Sequence, residues 1–140
     1  MLFRSGVQQS GNALLLKVRD TDGQLEIDSL FESWKRDILK EAVGALIARY
    51  EPIMGVQVNE IGIKKMSTRW GTCAIRAKRV WINLALALFP AQCLEMVVVH
   101  ELTHLLERNH TKRFYALMTH FMPGWQAADK LLVGGIPHID

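Results

Sequence analysis

Residues 90–110 read PAQCLEMVVVHELTHLLERNH, and the fold class turns on whether this run is a helix or a strand. Residues 96–99, Met-Val-Val-Val, favour a strand by propensity. Yet no breaker stands between Ala91 and Arg108, and so long an unbroken run exceeds the usual length of a strand. Pro90 suits the first turn of a helix, where its missing N–H would lack an intrahelical partner anyway. The spacing predicts a helix from Pro90 through Glu107, apolar on most faces and therefore central to a small domain. Asn109, which tolerates the left-handed conformation, is expected to end it.

Within that helix His100-Glu101-Leu102-Thr103-His104 forms an HExxH motif. Positions i and i+4 lie one above the other, so both imidazoles project from one face toward a common point. Glu101, offset by one residue, can reach a water at that point without taking a coordination position. A catalytic zinc has three protein ligands and one open position. His110 is the expected third ligand, giving an HExxHx5H arrangement. On a straight helix it would lie about 9 Å beyond His104 and on another face, so the helix must end between them. Glu107 competes, since it shares the stripe of His100 and His104, but a straight helix holds His100 and Glu107 roughly 10 Å apart. Burying two histidines and a glutamate without an ion would leave several polar groups needing partners. Zinc is the expected cofactor, although histidine ligands also accept manganese, cobalt or nickel.

Outward from this helix the pattern is mixed. Residues 13–19 favour a strand, and Asp22-Gly23 is a hairpin signal leading into a second strand at residues 25–27. Ser29-Leu30-Phe31-Glu32 fits a capping box, and Phe31, Trp34, Ile38, Ala42, Ala45 and Leu46 then follow helical spacing to about Tyr50. Glu51-Pro52 is expected to end this amphipathic helix. Residues 56–66 favour a strand with a bulge near Glu60, residues 68–73 a short extended piece, residues 77–79 a turn and residues 80–84 a third strand. Thr111 is a good cap for a last helix to about Phe121, stopped by Pro123-Gly124, with Phe114, Leu117, Met118 and Phe121 facing the core and His120 facing solvent. No repeat or linker divides the sequence, so residues 1–140 are read as one domain.

Composition excludes several classes. With 49% apolar and 22% charged residues the chain is neither disordered nor fibrous. The longest apolar region, residues 82–99, is interrupted by Asn83, Pro90, Gln92 and Glu95 and cannot span a bilayer. The run at residues 13–16 is too short for a signal-peptide core, so a cytoplasmic protein with no membrane partner is expected. Cys73 and Cys93 do not form a CxxC pair and are read as reduced, core-filling residues. The net charge of +3 hides an asymmetry. Lys64, Lys65, Arg69, Arg76, Lys78 and Arg79 lie in one acid-free segment, and the remaining chain is net negative. A nucleotide or nucleic acid is a candidate partner for residues 64–79.

The motifs together are similar to those of YgjP-like metallopeptidase domains, relatives of the SprT and WLM zincins. The resemblance rests on Arg69-Trp70-Gly71-Thr72-Cys73, Ile82-Asn83-Leu84, the HELTH helix, Asn109-His110-Thr111, Phe114 and Met122-Pro123-Gly124-Trp125. It implies a zincin-like α+β fold: a small antiparallel or mixed sheet packed on a central HExxH helix, with an N-terminal amphipathic helix and a C-terminal helix. It also implies His100, His104 and His110 as metal ligands and Glu101 as the catalytic residue. The histidine spacing equals that of metzincins, but Glu107 stands where those have glycine and no Met-turn follows. Arg69, Trp70 and Asn83, within the matched motifs, are candidate substrate contacts.

Three functions follow. The first is a zinc metallopeptidase in which Glu101 handles the proton of the attacking water and the strand at residues 80–84 aligns an extended peptide by strand addition. The second is a metal-dependent nucleoside triphosphate pyrophosphatase, suggested by the basic segment with Trp70 and Trp81 beside it. The third is a nucleic-acid-associated module whose metal is only structural.

Overall fold

The computed structural model describes the backbone of residues 6–10 and 13–17, and residues 23–132 in full. A two-stranded antiparallel hairpin, β1 (Gly6–Ser10) and β2 (Ala13–Lys17), precedes a long helix α1 (Gln24–Met54). The expected strand beginning at residue 13 is present and ends at Lys17; Arg19 and Asp22 lie outside the described residues.

The start of α1 corrects two expectations. Gly23 is the N-cap, so residues 25–27 are helical rather than a strand, and Ser29 to Glu32 lies inside the helix rather than opening it. Gln24, Leu25 and Glu26 are good helix formers, and a three-residue alternation is too short a signal to outweigh them. Gln24 Nε2 also donates to Asp28 Oδ1 at 2.8 Å across the first turn. The far end differs too. Glu51-Pro52 does not stop the helix, because buried Tyr50 and Met54 hold the last turn against the core. Gly55 ends it, at φ 70°, with its own N–H and that of Val56 both donating to the Glu51 carbonyl. Leu39, Val43, Ile47, Tyr50 and Met54 form the buried stripe of α1.

Three strands follow: β3 (Glu60–Lys64), β4 (Gly71–Ala74) and β5 (Arg79–Asn83), in the order β3-β5-β4. β5 runs parallel to β3 and antiparallel to β4, so the sheet is mixed. The chain turns between β4 and β5 at residues 75–78, where Lys78 takes φ 53°. Because β5 is central, both its edges are already paired. It cannot accept a peptide strand as expected, and β4 is the edge on the side of the motif helix.

A 3-10 turn (Leu84–Leu88) leads to helix α2 (Ala91–Thr103), then α3 (Lys112–Phe121) and α4 (Trp125–Leu132). From Met96 to Thr103 every residue of α2 is buried, the pattern of a central helix. It ends at Thr103, four residues before the expected Glu107. The backbone tightens there, with Leu105 N donating to Leu102 O and Leu106 N to Thr103 O. Among the described non-glycine residues only Lys78 has positive φ, so Asn109 is not the left-handed stop. Thr111 caps α3 as expected, its hydroxyl accepting from Phe114 N at 3.2 Å. α4 is an element the sequence reading did not foresee; its Ala128 and Leu132 are buried, and it packs on α2. No helix of the described residues is long and apolar enough to cross a membrane.

Candidate metal centre

The tightened turn after Thr103 swings the chain back, and this return brings His110 to the two histidines of α2. His110 Nε2 lies 3.2 Å from His100 Nε2 and 3.1 Å from His104 Nε2. Three nitrogens bound at about 2.05 Å to a tetrahedral zinc stand roughly 3.3 Å apart, so these two separations fit such an ion closely. The His104 ring is oriented by its Nδ1, which donates to the Arg108 carbonyl at 3.0 Å and leaves Nε2 facing the other two rings. Glu107 is not part of the cluster. Its Oε2 accepts from Arg113 Nη1 at 2.8 Å, which removes the competing ligand set.

Phe114, fully buried on α3, packs beneath all three imidazoles, with ring centroids 4.7–4.9 Å away. Tyr115 stacks on His110 at 6.3 Å and on Trp125 at 5.8 Å. The sequence pattern places Phe114 only in the core and does not single out Tyr115. Their signal was the position directly after the capped start of α3, which aims both rings back at the loop carrying His110.

Glu101 is 0% exposed and lies under β4. The seat is Gly71: a Cβ there would meet Glu101 Cγ at 3.2 Å. Beside the imidazoles opens a cleft of about 780 Å³, with Cys73, Arg76, His104, Arg108 and His110 in its lining.

The other candidate contacts fall elsewhere. Asn83 is 2% exposed, and its side-chain amide donates to Met66 O and Arg69 O while its Oδ1 accepts from Ala85 N. It holds the loop before β4 in place, and its hydrogen-bonding groups are used in doing so. Trp70 is 3% exposed, edge-on to Phe89, and belongs to the core. Arg69 sits exposed on the loop before β4, outside the cleft lining. Trp81 packs its ring over Gly62 and carries Lys64 Nζ at 4.7 Å. The basic segment is partly neutralised. Arg79 pairs with Glu60 at 2.8 Å and holds that carboxyl below its ordinary range, and Lys65 does the same to Glu32 at 2.6 Å. Both cysteines are free, Cys93 buried and Cys73 half-buried.

Residues 3–133 match the family described as YgjP-like, metallopeptidase domain. The chain belongs to the YgjP-like metallopeptidase domain family. The fold of this YgjP-like domain is similar to two solved metallopeptidase zymogens. One is abylysin of Pyrococcus abyssi, with TM-score 0.62 and 16% identity, covering 70% of this chain and 99% of that one. The other is jannalysin of Methanocaldococcus jannaschii, with TM-score 0.52 and 19% identity, covering 69% and 91%. The zincin-like α+β class expected from the sequence is therefore the observed one, with two C-terminal helices in place of one. A UTP pyrophosphatase of Escherichia coli (strain K12) is 34% identical over 91 residues, 64% of this chain and 54% of that protein. The YgjP-like chain thus spans about half the length of that curated relative.

Proposed function

We propose that this domain is a zinc-dependent metallopeptidase of the HExxHx5H type, with His100, His104 and His110 as ligands and Glu101 as general base. The convergence of the three imidazoles, with His110 Nε2 at 3.1–3.2 Å from the Nε2 of each of the other two, carries the reading. A bound divalent ion would supply Lewis acidity, lowering the pKa of the attacking water and polarising the scissile carbonyl. Glu101 takes the proton of that water at its carboxylate and returns it to the leaving amine. Its full burial under β4 keeps bulk water from competing for that proton. The edge of β4 supports an extended peptide by strand addition, which would run past the three imidazoles. The test is Glu101→Gln: zinc content should stay at one equivalent while turnover falls by about 10²–10⁴-fold, the usual worth of a general base. Full activity in zinc-loaded Glu101→Gln would overturn the assignment.

A second reading keeps the centre and changes the substrate to a nucleoside triphosphate. It is supported by the similarity to the UTP pyrophosphatase. Metal-dependent loss of nucleotide from a panel incubated with purified protein, run beside a peptide library, separates the two. The third reading, a nucleic-acid module with a structural metal, has the least support, because Lys65 and Arg79 are neutralised by Glu32 and Glu60.

A further inference from the structure

We propose that the cleft beside the three imidazoles contains an oxyanion subsite, with Arg76 and Arg108 as its donors, that receives a carboxylate or phosphate of the substrate next to the bond being cut. The location of the cut rests on the metal-hydrolase reading; the anion site itself does not.

The first observation is how the arginines are used. Arg36 donates to the Ile63 carbonyl and lies 3.8 Å from Glu32, Arg49 reaches Glu95, Arg79 reaches Glu60, and Arg113 reaches Glu107. Arg69 also has an interaction within the molecule. Among the described residues Arg76 and Arg108 make no ion pair or side-chain hydrogen bond, and these two line the cleft with His104 and His110. The second observation is convergence. Arg76 comes from the β4–β5 turn and Arg108 from the loop after α2, segments far apart in sequence that meet on one concave surface.

Both stems start from fixed backbone. The turn is held where Lys78 N donates to Ile75 O, Asn59 N to Lys78 O at 2.8 Å, and the Asn59 amide to Ala77 O at 3.2 Å. The Arg108 carbonyl is bonded to the His104 ring, so the residue presenting one guanidinium also orients a candidate ligand. No acidic side chain lines the cleft. Two arginines lining one hollow that no acidic residue lines favour an oxyanion, which each guanidinium can bind through paired N–H donors. Carboxylate and phosphate share that chemistry: an acidic residue beside the scissile peptide bond, or the phosphate beside a scissile anhydride.

The test uses the full chain without zinc, so that the anion cannot bind an ion instead. Inorganic pyrophosphate and glutarate are titrated separately, and the arginine Nε–Hε and backbone amide resonances are followed by NMR. Saturable shifts are expected at residues 74–77 and 108–110. Affinity should fall at least about tenfold, or 1.4 kcal/mol, in the Arg76→Ala/Arg108→Ala double variant, and stay unchanged in Arg49→Ala. Arg76→Lys and Arg108→Lys, which keep the charge but lose the fork, should fall between. Binding of pyrophosphate alone assigns a phosphate, and of glutarate alone a carboxylate. Binding of neither, shifts elsewhere, or equal affinity in the double variant overturns the proposal. Because no metal is present, none of these outcomes depends on the hydrolase reading, which Glu101→Gln tests by itself.

Discussion

Gly71 faces α2 across the strand that carries it, and a Cβ built there would lie 2.9 Å from Val97 Cγ1, 3.1 Å from the Trp81 carbonyl oxygen and 3.2 Å from Glu101 Cγ. The Trp81 carbonyl belongs to the paired strand β5, and Val97 is fully buried, so neither yields cheaply. The displacement would therefore reach Glu101, the residue assigned to proton transfer. Gly71→Ala is expected to destabilise the fold by about 1–3 kcal/mol, as overpacking does, and to lower turnover at least about tenfold at full zinc occupancy. Calorimetry and kcat on the same preparation check both; wild-type turnover with a lowered Tm would mean that Glu101 does not feel this contact. The glycine stood in the sequence as part of Arg69-Trp70-Gly71-Thr72-Cys73, but a glycine alone does not say what approaches it. That became legible only when β4 and α2 were packed together.

The loop between α2 and α3 is the element on which the site depends, since it carries the one exposed histidine of the three. Its shape comes from 3-10 tightening at one end and the Thr111 cap at the other, and its His110 ring ends a stack in which Tyr115 lies between His110 and Trp125. Tyr115→Ala removes the middle of that stack without touching a nitrogen of the cluster. Zinc affinity is expected to drop by about tenfold, the low end of effects from residues that orient ligands, while Tyr115→Phe restores it. Competition against a chelator measures this, and equal affinity in Tyr115→Ala would show that His110 is held by the backbone alone. The elements differ in how far the sequence announced them. The convergence of His100, His104 and His110, the Thr111 cap and the turn near residue 78 depend on neighbours close in sequence and were legible. The route by which the chain turns back was not, because α2 ends at Thr103 and Asn109 is not its stop. The start of α1 was misread because Leu25 and Ile27 satisfy a strand alternation as well as a helix, and only the length of α1 decides. The central place of β5 was hidden because strand order is set by contacts distant in sequence. α4 escaped because eight residues make a helix only when a neighbour such as α2 covers Ala128 and Leu132.

At the scale of the whole molecule, the motif helix is fastened to α1 by a polar clasp well away from the imidazoles. The Tyr50 hydroxyl donates to Glu95 Oε2 at 2.9 Å, and Arg49 Nη1 reaches the same oxygen at 3.3 Å. The Tyr50 phenol is therefore a point at which alkaline conditions can act on the packing of the two helices. Burial, and then its bond to the Glu95 carboxylate, push the Tyr50 phenol above its ordinary value of 10.0. The fold therefore holds this proton more tightly than the unfolded chain does. Its contribution is fully present below about pH 10 and is lost as pH rises past that value toward the raised folded-state pKa. Tyr50→Phe should lower stability at neutral pH by about 1 kcal/mol, the net worth of one hydrogen bond, and should also make stability fall less steeply above pH 10. Urea denaturation at steps from pH 7 to pH 11 tests both parts on one variant. If the alkaline slope of Tyr50→Phe matched that of the parent chain, some other group would be releasing the proton, and the clasp would not be what ties the motif helix to α1 at high pH.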